Sequence, residues 1–261
     1  MTKEVETVLD TSKELRRGDR FSFSCVPQKE CFTQCCYDLT LILMPYDIYR
    51  LKKALNMDSK SFLEQYTSVH VGPGTGVPVV TVKMEGAYLK CPFLEEGKGC
   101  KVYEDRPGAC RTYPLARIAE RNGETGEIDE YFYVVRESDC KGFKDGHEWT
   151  VQEWIDHEGL SDYIEMNDLF SELIHAKNRA GVGQLTADQI EIFYMGCYDL
   201  DSFRRYFLEG PNLDRYMEDP ETIKRLEADD LELFKYGMTW VKRKLFEGGG
   251  SCFACGIGQG S

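Results

Sequence analysis

The sequence lacks a long hydrophobic run. Its longest apolar stretch, from Leu39 to Met44, is ended by Pro45 and is far shorter than the ~20 residues that a helix needs to cross a bilayer. Residues 1–20 carry charges throughout, with no apolar segment of the kind that a secretory signal needs. We therefore expect no membrane association and no export, and we predict a cytoplasmic protein whose thiols are kept reduced.

Positive charge is also scarce. The chain has 32 Lys and Arg residues against 45 Asp and Glu, for a net charge of −13. Nucleic acids and anionic lipids attract basic surfaces through their phosphates, so we expect no nucleic-acid partner. The basic residues near the cysteines either offset thiolate charge or form an ordinary solvated surface; they are Lys29, Lys90, Lys98, Lys101, Arg106, Arg111 and Lys141.

Histidine and catalytic motifs give no further site. The four histidines lie in unrelated settings, without an H-x3-H or H-E-x2-H spacing. The sequence also has no P-loop, no G-x-S-x-G and no G-x-G-x2-G after a strand. No catalytic acid, base or nucleophile follows from the sequence, so it leaves open whether the protein is an enzyme.

Cysteine, in contrast, is abundant. Eight of the eleven cysteines lie between Cys25 and Cys140: Cys25, Cys31, Cys35, Cys36, Cys91, Cys100, Cys110 and Cys140. In a reducing compartment such clustering favours metal binding, with disulfides and ordinary buried cysteines as the alternatives. Only Cys252 and Cys255 have a C-x2-C spacing, which argues against a zinc ribbon or zinc finger. Cys197 lies on an apolar helix face and is predicted to be a small buried hydrophobe.

The settings of these cysteines resemble one family. They are the Cys35-Cys36 pair, Cys91-Pro92-Phe93-Leu94, Gly99-Cys100-Lys101-Val102-Tyr103, Arg106-Pro107-x2-Cys110-Arg111-x-Tyr113-Pro114 and the late Cys140. Over roughly Phe21 to Gly142 the chain resembles the YkgJ-type cysteine cluster proteins, which are described as zinc- or iron-chelating. The family usually has three and then two residues between its first cysteines, whereas the gaps here are five and three. Cys31, Cys35 and Cys36 keep the compact end of that pattern, and Cys25 departs from it.

The resemblance implies that all eight cysteines are metal ligands for zinc or iron. Two mononuclear zinc sites and an iron-sulfur cluster both suit eight thiolates. The flagellin lysine methylases, larger proteins with a similar cysteine domain, are associated with iron-sulfur clusters, and this analogy favours the second choice. Arg111 is predicted to donate hydrogen bonds to a thiolate or cluster sulfur, the alternative being an ion pair with a carboxylate such as Glu104.

The fold is predicted to be α+β, with three regions. Residues 21–146 form a loop-rich cysteine metal-binding domain with short strands and helices, 147–247 form a mostly helical half packed on it, and 248–261 form a flexible Gly-rich tail. The predicted helices include Tyr46–Leu55, Ser59–Tyr66 and about Ser161–Arg179, and the predicted strands are Val77–Met84 and Tyr131–Arg136. Two capping boxes, Thr150 with Glu153 and Thr186 with Gln189, open further helices.

The sequence thus predicts a metal-binding protein that coordinates zinc or iron through clustered thiolates. Its partners are a metal ion or cluster and, as an open alternative, another protein. Two other functions fit the same cysteines. One is an iron-sulfur-dependent enzyme that modifies protein or peptide side chains, and the other is a thiol-based metal or redox transfer protein that uses Cys252 and Cys255.

Overall fold

The computed structural model describes residues 7–121, 128–211 and 213–247. Within them the strands are β1 (Thr7–Leu15), β2 (Arg20–Phe23), β3 (Ile42–Leu43), β4 (Thr67–Val71), β5 (Pro78–Val82), β6 (Leu94–Glu95), β7 (Gly99–Cys100), β8 (Leu115–Arg121), β9 (Ile128–Glu137) and β10 (His147–Thr150). The α-helices are α1 (Pro45–Ala54), α2 (Ser59–Tyr66), α3 (Gly108–Thr112), α4 (Val151–Glu158), α5 (Ser161–Arg179), α6 (Ala187–Cys197), α7 (Leu200–Arg204), α8 (Pro220–Ala228) and α9 (Asp230–Phe246). Short antiparallel strands and a helix-rich C-terminal half confirm the α+β class.

The chain divides into two compact units. The first contains the described residues up to Leu43 together with Val82–Glu165, and the second contains Met44–Thr81 together with the described residues from Met166 onward. All eight clustered cysteines lie in the first unit. The domain limits 21–146 and 147–247 remain predictions, and the tail 248–261, with Cys252 and Cys255, lies outside the described residues.

Antiparallel strands frame the first unit. In one three-stranded sheet, β9 lies between β1 and β8, with Leu115 opposite Val134 in the β8–β9 ladder and Thr7 opposite Glu137 in the β1–β9 ladder. The aromatic and β-branched residues of β9 explain why it forms a strand. The observed strand extends beyond the predicted range Tyr131–Arg136 at both ends, since its neighbours continue the ladder.

An aromatic cluster fills the core of the first unit below β2. The Phe23 ring is 2% exposed and makes edge contacts with the rings of Trp154, at 5.7 Å between centroids, and Tyr113, at 5.6 Å. The β2–β10 pair places Phe23 opposite His147. The capping box of Thr150 and Glu153 is confirmed at the start of α4, so the sequence signal fixes where this helix begins.

Helices make up most of the second unit. Helix α2 has the predicted limits and is capped by Asp58, whose carboxylate accepts a hydrogen bond from the Ser61 N–H at 3.0 Å. Helix α5 also has the predicted limits, and the second capping box, Thr186 with Gln189, opens α6. Strand β5 is shorter than the predicted Val77–Met84 and ends at Val82.

Candidate metal centre

Tight turns place the first four cysteines directly after β2. A 3₁₀ turn covers Gln34–Cys36 and is preceded by Thr33, whose φ of 67° lies in the left-handed region. The N–H of Gln34 donates to the carbonyl of Cys31, and the N–H of Cys36 donates to that of Thr33, both at 3.0 Å. These turns bring Cys31, Cys35 and Cys36 into one short, curved segment.

A backbone hydrogen bond connects this segment to the next cysteine. The N–H of Cys91 donates to the carbonyl of Cys36 at 2.8 Å. The small β6–β7 ladder then pairs Leu94 with Cys100, and the N–H of Lys101 donates to the carbonyl of Phe93 at 2.9 Å. Cys36, Cys91 and Cys100 are therefore held by one continuous set of backbone hydrogen bonds.

The last two cysteines come from a helix and from a turn after a strand. Cys110 lies in the short helix α3 and is exposed. Cys140 follows β9 in a turn closed by a hydrogen bond from its own N–H to the carbonyl of Glu137 at 3.0 Å. Strand β9 thus places Cys140 near the segment after β2 that contains Cys31, Cys35 and Cys36.

Electrostatic interactions connect the eight thiols to one another, and four of them interact directly with Cys35. Electrostatic interactions link Cys35 to Cys25, to Cys36, to Cys91 and to Cys100. The remaining three join through these neighbours: Cys25 interacts with Cys31 and Cys140, and Cys36 interacts with Cys110. These interactions connect cysteines that are spread over more than a hundred residues of sequence, and none of the nine described cysteines forms a disulfide.

The adjacent cysteines have opposite proton affinities. A hydrogen bond from Cys36 lowers the pKa of the Cys35 thiol below its ordinary value, whereas the same contact, together with burial, raises the pKa of Cys36. In this contact Cys36 is thus the hydrogen-bond donor and Cys35 the acceptor.

Burial raises the pKa of most of the other thiols. It raises the pKa of Cys25 to about 11, although part of that side chain reaches the surface. It also raises the pKa of Cys100, but the Val102 N–H, Arg106 and Lys101 partly oppose this shift because each favours the thiolate. Among the basic residues singled out from the sequence, Lys101 and Arg106 therefore supply positive potential to a cysteine sulfur.

Two successive backbone N–H groups point at cysteine sulfurs. The N–H of Lys141 donates to Cys31 Sγ at 3.1 Å, and the N–H of Gly142 donates to Cys140 Sγ at 3.4 Å. Successive N–H groups of a turn form a concave anion site, and N–H donors to sulfur are one of the means by which proteins tune metal-bound thiolates. This donor arrangement fits sulfur that carries negative charge.

Among residues 7–121, 128–211 and 213–247, no three His, Cys, Asp or Glu side chains are already placed to hold one metal ion. The chemistry of the donor set nevertheless fits zinc or iron, because it offers soft thiol ligands with N–H donors around them.

A buried polar network supports the turn that carries Cys110. Arg111 is 7% exposed and donates to the backbone carbonyls of Arg106, Glu104 and Glu158. Arg106 contacts the Glu158 carboxylate, and the hydroxyl of Tyr163 donates to the Arg106 carbonyl at 3.2 Å. Arg111 thus connects the backbone before Cys110 to the end of α4 and contacts the carbonyl, not the carboxylate, of Glu104. The predicted bond from Arg111 to a sulfur stays a prediction.

A shallow cavity of about 390 Å³ opens beside the first loop. Its lining residues are Glu30, Cys31, Gln34, Asp139 and Lys141. Because this lining is polar, the cavity differs from the mostly apolar pockets that bind organic substrates. It gives solvent and small ions a route to the Cys31 sulfur.

Several contributors to the site were not predicted from the sequence. The N–H donors of Lys141 and Gly142 come from backbone geometry, which residue types do not reveal. Glu158 and Tyr163 lie far along the chain from the cysteines, so only tertiary structure brings them to Arg106. The prediction for Cys197 agrees with its 2% exposure, and within the described residues no helix is both long and apolar enough to span a bilayer.

Comparison with known proteins gives one match. Residues 24–141 match the family model CxxCxxCC, described as "Putative zinc- or iron-chelating domain". That name writes two residues in each gap, so the gaps of five and three in this chain are longer than in the family's pattern. No curated protein and no solved structure matches the chain. The matched segment, residues 24–141, contains all eight clustered cysteines and covers a little under half of the chain.

Proposed function

We propose that the first unit binds zinc or iron through Cys25, Cys31, Cys35, Cys36, Cys91, Cys100, Cys110 and Cys140. The observation that supports this proposal is the set of electrostatic interactions that connects the eight thiols, four of which interact directly with Cys35. A protein that needed cysteines only as small apolar residues would bury them separately, as Cys197 is buried. The match of residues 24–141 to a chelating family supports the same conclusion.

An iron-sulfur cluster is the form of iron that we propose first. Eight thiolates exceed one tetrahedral site, and a cluster spreads the charge of its ligands over several irons and sulfides. When bound, it would supply electron transfer or a Lewis-acidic iron. The N–H groups of Lys141 and Gly142 would remain donors to Cys31 and Cys140, and Lys101 and Arg106 would offset negative charge near Cys100.

The experiment is metal analysis of the full chain purified without oxygen. Iron with an equal amount of acid-labile sulfide and broad visible absorption identifies a cluster, whereas zinc without sulfide identifies mononuclear sites. Cys35→Ala is expected to lose most of the bound metal, because it removes the thiol at the centre of the set. Cys197→Ala is the matched control and should keep the wild-type metal content; equal metal in both variants contradicts the proposal.

A second candidate is an iron-sulfur enzyme that modifies protein or peptide side chains. The cavity beside Cys31 is the observation in its favour, since its volume falls in the range of ligand pockets. Its polar lining and the lack of a catalytic acid–base motif make metal binding the stronger proposal. Binding of peptides from a library, detected as a change in the visible absorption spectrum of the metal-loaded protein, would support the enzyme function.

A further inference from the structure

Strand β4 has one side that no other strand covers. It pairs with β5 and is an edge strand of its sheet within the part of the chain that the structure describes. Its side chains from Ser68 to Val71 are all exposed, and two of them are large and apolar: Val69 is 46% and Val71 is 40% exposed. An exposed apolar edge of this kind pairs readily with a further strand.

The charge of this segment indicates which strand it fits. Edge strands are usually protected by charged residues or proline, and β4 has neither. Residues 65–82 contain no Asp, Glu, Lys or Arg, although these types make up 30% of the chain, whose net charge is −13. Two copies of so acidic a chain repel each other, but two β4 edges meet with little repulsion. A basic partner would find no carboxylate on β4, so the composition favours a second copy.

The backbone of β4 alternates between its two sides. The Gly72 N–H donates to the carbonyl of Val77 at 3.0 Å, so the backbone of Gly72 faces β5. Alternate residues of an antiparallel strand direct their N–H and C=O groups to the same side, so His70 faces β5 as well. The backbone groups of Val69 and Val71 therefore face outward. The outer side of β4 offers two N–H donors and two C=O acceptors.

One antiparallel register uses all of these groups across a two-fold axis. When His70 of one copy lies opposite His70 of the other, Val69 lies opposite the second copy's Val71, and these two residues exchange N–H···O=C bonds in both directions. An axis at Val69 would need the Thr67 N–H, which already donates to a carbonyl of α2. An axis at Val71 would place Pro73, which has no N–H, opposite Val69.

We propose that the protein forms a symmetric dimer in which β4 pairs antiparallel with β4 of a second copy, with His70 at the two-fold axis. Four backbone hydrogen bonds join the copies, and Val69 of each copy packs beside Val71 of the other. Because one short strand buries little area, the dimer depends on protein concentration. The inference is independent of the proposed metal binding, since no residue of the cysteine set takes part.

Sedimentation velocity of the full chain over about 1–200 µM tests the association. The wild type is expected to shift from monomer to dimer as its concentration rises. Added salt should maintain or strengthen the dimer, because it screens the net charge of −13. A wild type that stays monomeric throughout overturns the proposal, including one whose β4 binds a strand of another protein instead. A dimer that dissociates in salt overturns it as well.

Charged variants at the axis test the register. His70→Glu and His70→Lys each place like charges opposite one another and should raise the dimer Kd roughly fivefold or more. An equimolar mixture of the two should associate more strongly than either alone, because opposite charges then meet at the axis. Ser68→Glu mixed with Ser68→Lys is the control, since residue 68 lies opposite Gly72 and mixing should bring no comparable gain.

Thermal melting verifies that each of these variants folds. Folded His70 variants that dimerise as well as the wild type contradict the proposal. So does a mixture of the His70 variants that associates no better than its components.

Discussion

The N–H of Cys91 donates to the carbonyl of Cys36 at 2.8 Å. This single bond joins two segments that lie more than fifty residues apart, and it does so at the residues whose side chains are predicted ligands. The backbone therefore fixes the distance between the first loop and the β6–β7 ladder before any metal is present. In this account, folding gathers the thiols and metal binding completes the site.

Gly142 is predicted to be essential for the packing of the first unit. An alanine Cβ there would lie 2.2 Å from the Phe23 ring, and such overpacking costs about 1–3 kcal/mol. Gly142→Ala should lower the free energy of unfolding by that amount in urea titrations. Gly18→Ala, where nothing lies within 4 Å, is the control. Equal stability of the two variants would show that Phe23 does not pack on Gly142.

The Arg106–Glu158 pair is predicted to be far more important for stability than a surface pair. Its side chains are 11% and 8% exposed, and removing one partner leaves a buried charge, which costs roughly 3–5 kcal/mol. Arg106→Ala should therefore unfold much more readily than the wild type. The exposed Arg20–Glu148 pair offers the control: Arg20→Ala should cost less than about 1 kcal/mol. Similar losses in both variants would contradict this ranking.

The second unit is predicted to lose stability in acid through Asp201. Burial opposes ionisation of this carboxylate, but hydrogen bonds from Lys52 and Ser59 outweigh it, so its pKa is lowered. Because the pKa of Asp201 is lower in the folded chain than its value of about 3.9 in the unfolded chain, the ionised carboxylate stabilises the fold at pH values above about 3.9. This stabilisation is lost as the pH falls through the pKa of the folded chain. Asp201→Asn should be less stable than the wild type at neutral pH, and the difference should shrink towards about pH 3. A constant difference across that range would exclude the mechanism.

Helices α6 and α9 are predicted to tolerate no side chain where they cross. A Cβ on Gly237 would lie 2.4 Å from the Gly196 carbonyl oxygen, which is backbone and cannot rotate away. Gly237→Ala should destabilise the protein by about 1–3 kcal/mol, although alanine normally favours a helix by about 1 kcal/mol. Gly183→Ala, with nothing within 4 Å, should be close to neutral. A stabilised Gly237→Ala variant would refute the close crossing.

The sequence predicted local structure best where local chemistry decides it. The Asp58 cap and the two capping boxes fix helix starts through contacts three residues apart, and these starts are confirmed. The cysteine clustering likewise predicted the family. The role of Arg111 as a brace for the Cys110 turn was not predicted, because its carbonyl acceptors are set by tertiary structure.

The central claim is that the eight thiols act together as one ligand set. Its most direct test is per-cysteine alkylation of the reduced full chain with and without zinc or ferrous iron, read by peptide mapping. The account predicts that metal protects Cys25, Cys31, Cys35, Cys36, Cys91, Cys100, Cys110 and Cys140 as a group. A folded protein whose eight thiols react at the same rates with and without metal would contradict it.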